Sequence, residues 1–188
     1  LKILNKIIVG ARKASASADV EMRAKRALAE TSLLALSAMF ELTSEHVKAM
    51  KLEVAGWENG RRIGIGVLPQ GPYVTIKFED GKFKHIGKGL VDPHVSILFK
   101  NLDSAVLIFA GLIGAPQAVA ENRVLINGDN SYAMQVTRAM AIVQTYLFPA
   151  AILNKTFKRP PKLSMKELAV KGKILGLLTP RLAKVASR

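Results

Sequence analysis

Ile63-Gly-Ile-Gly-Val67, the turn Leu68-Pro-Gln-Gly-Pro72, Val74-Thr-Ile-Lys-Phe78 and the pair Asp80-Gly81 decide the fold of this chain. In both apolar segments the large residues occupy every second position, which places Ile63, Ile65 and Val67, and then Val74, Ile76 and Phe78, on one face of a strand. Asp80-Gly81 supplies the positive φ angles of a tight hairpin, and Asn59-Gly60 is a second such signal upstream. The same alternation occurs in Leu52/Val54 and in Val95/Ile97/Phe99. Short connections make successive strands antiparallel, so residues 51–100 predict a β-meander.

The helical period holds on both sides of this segment. Residues 2–13 predict a short amphipathic helix with Ile3, Leu4, Ile7, Ile8 and Ala11 on one side. A longer helical stretch follows from about Ser17 to Met50, with Thr43 or Ser44 able to cap a fresh start. Downstream, Asn101 or Asp103 can cap a helix running to about Ile113, Val124 to Asn127 is a brief strand, and Asp129 can cap a further helix. In that helix Ala133, Val136, Met140, Val143 and Leu147 share a face. Pro149 and Lys158-Arg159-Pro160-Pro161 end the unit, and residues 163–178 predict a basic amphipathic helix that Thr179-Pro180 restarts. The fold expected is α+β: a twisted, mainly antiparallel five-stranded sheet covered by helices. Three segments are expected: a helical arm over 1–50, a central domain over 51–150 and a basic extension over 151–188.

Half of the 188 residues are apolar, which excludes general disorder, and the absence of cysteine excludes disulfides and thiolate metal sites. No run of eighteen apolar residues occurs, so no membrane-spanning helix is expected. A cysteine-free chain suits a reducing compartment, and the expected location is cytoplasmic. Ala16-Ser17-Ala18 resembles a signal-peptidase site, but Lys6, Arg12 and Lys13 interrupt what would be the apolar core of a leader, so a structural helix is expected there. The net charge of +14 is uneven: residues 1–26 carry seven Lys/Arg against two acids, residues 27–153 carry eleven of each, and residues 154–188 carry ten against one. Basic ends around a neutral body are drawn to anionic surfaces, either phospholipid or nucleic acid.

The chemistry-bearing residues do not assemble into a catalytic pattern. His46, His85 and His94 have no metal-ligand spacing. Asp92, His94 and Ser96 fall in a row on one strand face, which does not aim a base at a nucleophile. Gly64 and Gly66 precede a turn and a strand rather than a helix, so they read as backbone packing or a bulge, not as a nucleotide-binding loop. No cofactor and no metal is expected.

What stands out is Ala105-Val-Leu-Ile-Phe-Ala-Gly-Leu-Ile-Gly-Ala115, eleven consecutive residues without a polar side chain. A covering helix needs apolar groups on one face only. A helix apolar all round is either buried between other elements or lines a cavity for an apolar ligand. Met134 and Met140 on the following helix add adaptable side chains.

Residues from about Lys51 to Phe148 resemble the sterol carrier protein type-2 domain. The resemblance rests on the order of elements: the meander, the strand His94-Val-Ser-Ile-Leu-Phe-Lys100, the helix opened by Asn101-Leu-Asp-Ser-Ala105, and Ala118-Val-Ala-Glu-Asn-Arg-Val-Leu-Ile-Asn-Gly-Asp129 leading into the last helix. It covers about half of the chain, and its motifs are diffuse apolar patterns. It implies a five-stranded sheet with helices over one face and a hydrophobic tunnel between them for a sterol, fatty acyl chain or other lipid, without catalysis. By position it implies lipid contacts from Val106, Phe109, Ala110 and Ile113, from Ala133, Val136 and Met140, and from Ile97 and Phe99. The helical N-terminal arm and the basic C-terminal segment depart from the family pattern, and the last residues, Val185-Ala-Ser-Arg188, do not match a peroxisomal signal.

The expected function is therefore non-enzymatic binding or transfer of an apolar ligand. The expected partners are a lipid or other apolar small molecule and, through the basic C-terminal tail, the surface of an anionic membrane. The alternatives are a nucleic-acid-associated basic protein, and an accessory or scaffold unit without a free ligand. The first alternative is disfavoured because Phe157 is the single aromatic of the C-terminal segment, leaving no stacking pattern. Leu168, Leu175, Leu178, Leu182 and Val185 instead form an apolar stripe there, suited to a membrane surface, a partner helix or the domain itself.

Overall fold

The computed structural model describes residues 2–157 and 159–188, with side chains described from Ser17 onward except that of Pro116. Helix α1 (Lys2–His46) is continuous, so the expected break between a short and a long helix does not occur. The expected apolar side of residues 2–13 lies outside the described side chains. The fresh start at Thr43 or Ser44 is also absent. Both hydroxyls bond backward into the helix, Thr43 to the Met39 carbonyl at 2.7 Å and Ser44 to the Glu41 carbonyl at 2.8 Å, and neither caps a new one. The Leu52/Val54 strand is a correction too. Lys48–Glu53 forms a short helix α2, because Val47, Met50 and Val54 recur at helical spacing and are all buried, while Leu52 faces solvent.

Five strands follow: β1 (Arg62–Val67), β2 (Tyr73–Glu79), β3 (Lys82–Lys88), β4 (Val95–Phe99) and β5 (Val124–Gly128). They form one sheet in the order β3-β2-β1-β4-β5. The meander is real for β1 to β3, which pair antiparallel through Ile63 with Ile76 and Phe78 with Phe83. It fails at β4, which lies on the other side of β1 and parallel to it, Ile65 opposite Ile97. The segment 89–94 carries the chain across. Thr75, wholly buried, holds that crossing by donating to the Gly89 carbonyl at 2.7 Å and accepting from the Val91 amide at 2.9 Å. Gly64 makes room beneath it, since a Cβ there would stand 2.7 Å from Leu90 and 3.1 Å from Pro93. Gly66 lies equally close under Tyr73. The two glycines thus serve backbone packing.

Helix α3 (Leu102–Phe109) is capped by Asn101, whose side chain accepts from the Ser104 amide at 2.8 Å. It stops four residues short of the expected Ile113, because Gly111 turns the chain at φ +67°. Helix α4 (Ala115–Ala120), β5 and helix α5 (Asn130–Leu147) follow. The Asp129 carboxylate caps α5 by accepting from the Ser131 and Tyr132 amides. A short helix α6 (Ala150–Thr156), unforeseen in the sequence, starts at Pro149. Helix α7 (Met165–Ala186) begins with a capping box between Ser164 and Glu167 and runs through Pro180 without the expected restart.

Helix α7 lies along α1. Its stripe divides: Val185 is buried, Leu178 and Leu182 are half-buried against the core, and Leu168 and Leu175 face solvent. Ile174, outside the expected stripe, is also fully buried. Arg181 bonds Glu41 at 3.0 Å and Glu45 at 2.7 Å, and Arg188 bonds Glu41 at 3.1 Å. Residues from all three expected segments, from Ala29 on α1 to Val185 on α7, therefore share one core cluster.

Candidate ligand-binding site

The helices over the inner sheet face leave two neighbouring apolar cavities. The larger, about 320 Å³, opens between the end of α3, the 113–115 loop, α4, α5 and the end of α6. The smaller, about 210 Å³, lies between α1, α3, α5 and the end of β4, with Ala35 and Leu36 on one wall and Phe99 on another. Ile108, Met140, Gln144 and Phe148 line both, so they form the partition. Two of these, Met140 and Gln144, are unbranched side chains with several rotatable bonds, which can reshape a partition at low cost.

Of the four polar side chains in the walls, Ser32, Thr137, Gln144 and Thr156, the two threonines are bonded within their helices. Thr137 donates its hydroxyl to the Ala133 carbonyl at 2.8 Å and Thr156 to the Ile152 carbonyl at 2.9 Å, so neither hydroxyl proton is left free for a ligand. The side-chain amide of Gln144 has no protein hydrogen-bond partner among the described residues, and it faces both cavities. Two glycines let the site close. A Cβ on Gly111 would stand 2.5 Å from Ile152, and one on Gly114 would collide with the Thr156 carbonyl. Helix α6 can therefore seat against the 110–115 turn, bringing Thr156 and Phe157 into the wall.

Of the nine residues expected to contact a lipid, Phe99, Phe109, Ile113 and Met140 line one or other cavity. Phe99 and Phe109 meet edge to face at 5.2 Å. Ile97, Ala133 and Val136 are core residues, Val106 is half-buried on α3, and Ala110 is exposed; none of these five lines either cavity. The phase of α3 explains part of this. A run that is apolar all round gives no phase, and the helix turns Ile108 rather than Val106 inward. Ala35, Leu36, Gln144, Phe148 and Phe157 were not foreseen. Three of them lie outside the segments expected to form the pocket, and Gln144 was hidden by its polarity. The cavity expected as continuous between sheet and helices is divided, and among the sheet residues Phe99 alone reaches it.

Elsewhere the polar groups have structural roles. His94 Nδ1 accepts from the Arg62 amide at 3.1 Å and Asp92 pairs with Arg62, so Asp92 and His94 anchor the crossing segment to β1. His85 is buried with neither ring nitrogen bonded, and burial holds its pKa below the ordinary value. Among the described residues no group of three potential ligands could hold a metal ion, and no helix is long and apolar enough to cross a membrane. Two larger clefts, about 620 and 530 Å³, are open grooves whose walls carry charged side chains such as Arg159, Lys162 and Lys171, or Glu45, Lys51 and Asp80. The first also carries Leu153, Leu163 and Leu168 in its walls, but both are more polar and more open than the paired cavities.

No protein-family model matches this sequence, and no curated protein matches it. Solved structures do. A UbiJ-SCP2 ubiquinone synthesis protein aligns with 57% of this chain and 89% of its own, at 12% identity and TM-score 0.39. Sterol carrier protein domain 2 of Helicoverpa armigera aligns with 57% of this chain and 84% of its own, at 19% identity and TM-score 0.43. A crystal structure of sterol carrier protein 2 aligns with 63% and 95%, at 13% identity and TM-score 0.41. The chain is similar to sterol carrier protein 2 domains in fold. The likeness covers little more than half of it.

Proposed function

We propose that this chain binds an apolar ligand, a lipid or fatty acyl chain, in the paired cavities and carries it without catalysing a reaction. The observation behind this reading is the pair itself: two adjoining apolar spaces of about 320 and 210 Å³ separated by a few side chains. The larger falls at the lower end of the roughly 300–1,000 Å³ of small-molecule pockets. Phe99, Phe109, Ile113 and Met140 are the ligand contacts in this reading. Ile97, Val106, Ala110, Ala133 and Val136 shape the body around them. The central segment 51–150 supplies most of the site, while the 1–50 and 151–188 segments close it from outside through Ala35, Leu36 and α6.

Contact with an anionic membrane forms part of the proposal in an altered form. The buried part of the α7 stripe and the basic residues Lys171, Arg181 and Arg188 are engaged within the protein. The exposed Lys and Arg of the segment, such as Lys166, Lys173 and Lys184, would meet phospholipid mainly by charge, with the solvent-facing Leu168 and Leu175 adding a small apolar part, so vesicle binding should fall steeply with salt. Native mass spectrometry of the purified protein tests the carrier reading. Co-purified lipid released on unfolding is the expected result. A ligand-free protein that also fails to bind fluorescent fatty acids or sterols would leave the accessory-unit reading in its place.

A further inference from the structure

The two edges of the sheet are built differently. Edge strand β3 carries Lys82, Lys84 and Lys88 at exposed positions, and its pairing with β2 contains a register irregularity. Charge and irregularity are the usual devices that keep an edge from pairing with another strand. Edge strand β5, Val124-Leu-Ile-Asn-Gly128, has no charge and no proline within it, and Leu125 to Gly128 are all exposed. Among the described residues no strand lies on its outer side. Exposed apolar residues continue onto the helices joined to it, Val119 on α4 and Met134 on α5.

The hydrogen bonding of β5 fixes what its free edge offers. The Arg123 carbonyl accepts from the Lys100 amide and the Asp129 amide donates to the His94 carbonyl, so residues 123 and 129 face β4. Alternation in an antiparallel pair then turns the backbone groups of Val124, Ile126 and Gly128 outward. We propose that β5 pairs antiparallel with β5 of a second copy about a two-fold axis through Ile126, so that one sheet runs through a homodimer. In this register Ile126 opposes Ile126, Val124 opposes Gly128, and all the outward groups fall in hydrogen-bonded pairs. The same register sets Arg123 opposite Asp129 of the other copy at both ends of the contact; both side chains are partly exposed and would share their intrachain partners, Glu121 and Arg61, with the new pairs. The strand is self-complementary in hydrogen bonding and in charge, which a two-fold contact requires. It also belongs to residues 27–153, which carry equal numbers of acids and bases, so the +14 of the chain does not concentrate at the contact.

This proposal does not depend on the ligand reading, and its test is the association state of the full chain by sedimentation velocity. The expected result is a species of twice 20.4 kDa that dissociates on dilution. Ile126→Pro removes an outward N–H that β4 does not use, so the folded monomer should persist and the dimer should be lost. Arg123→Glu turns two attractive pairs repulsive and should weaken association by about tenfold. The register is tested by Leu125→Cys with Asn127→Cys in this cysteine-free chain. These positions oppose each other as a non-hydrogen-bonded pair at about 4.5 Å between Cα atoms, within disulfide range, so oxidation should link the copies. A wild-type chain that stays monomeric at every concentration overturns the proposal and leaves the edge to a strand from another protein. A dimer that survives Ile126→Pro in folded protein, or that fails to cross-link, overturns it as well. Should Ile126→Pro unfold, Arg123→Glu and the cysteine pair decide.

Discussion

Ala141→Phe should weaken ligand binding without unfolding the protein. Ala141 lies on α5 in the wall of the larger cavity, facing about 320 Å³ of unfilled apolar space. Unfilled volume in a protein interior costs about 24 cal/mol per Å³, so filling this space completely is worth at most about 8 kcal/mol. That figure corresponds to a micromolar dissociation constant before the entropy of association is subtracted. A phenyl ring in the cavity claims part of this stabilisation for the protein and removes the same part from the ligand. Affinity for a fluorescent fatty acid should therefore fall by at least about tenfold, equivalent to about 1.4 kcal/mol, while the melting temperature holds or rises. Displacement titration and calorimetry on the same sample measure both. The cavity account is refuted if Ala141→Phe binds as tightly as the parent, because the ligand would then lie elsewhere. It is equally refuted if the variant loses about 2 kcal/mol of stability by overpacking, because there would then be no space to fill.

Three further outcomes follow from named contacts. Gly114→Val should destabilise by about 2 kcal/mol or more, because its side chain meets the Thr156 carbonyl and must push α6 off the site; thermal melts with and without added fatty acid measure this. Arg181→Met should cost about 3 kcal/mol in denaturant titrations, because Glu41 is nearly buried and would keep Arg188 as its one remaining ion-pair partner. His85→Phe should raise stability and remove part of its loss in mild acid. Burial, opposed by Glu41 and reinforced by Arg188 and Lys88, holds the folded His85 pKa below 6.5. The unfolded chain then binds the proton first, so stability is full above about 6.5 and falls as pH drops toward the folded value. Melting curves between neutral pH and pH 5 that are parallel for wild type and variant would refute this.

The sequence carries the strands that alternate and the helices that begin with a capping side chain. Asn101 and Asp129 were readable because an amide or carboxylate before an apolar run has one favourable use there. Thr43 and Ser44 misled because the same hydroxyls can bond backward within a helix, and only burial beneath β3 selects that use. Leu52 and Val54 misled because two alternating residues fit a strand and a helical turn equally, and Met50 settles the matter through contacts distant in sequence. The parallel placement of β4 was illegible for a related reason. Six residues can close a hairpin or cross a sheet, and the choice lies in Thr75 and Gly64, which belong to other strands. In the site, Phe109 and Met140 were readable as large apolar groups on the right elements. The contributions of Ala35 and Phe157 depend on how α1 and α6 close over the sheet, which no local period encodes.

Charge illustrates the same division between what is local and what is assembled. Ten basic residues against one acid over 154–188 suggest a free, solvated tail. Among the described residues of the folded chain three are occupied: Arg181 and Arg188 meet Glu41, which is almost wholly buried, and Lys171 donates to the carbonyls of Thr145 and Phe148. Burial holds the Lys171 pKa below the usual lysine value, as expected for an ammonium group bonded only to neutral carbonyls. These three anchor α7 along α1 and α5, and their attraction is screened little by salt because their partners are at least partly buried. Lys155, Arg159, Lys162, Lys166, Lys173 and Lys184 are left for solvent or an anionic surface, where salt screens them strongly. Salt therefore separates the two populations: raising it should release vesicles long before it loosens α7. Proteolysis of the 157–164 connection, followed across the same salt range, should show α7 still protected after vesicle binding is gone. Release of both at one salt concentration would mean that α7 is held by the same exposed charges that touch the membrane.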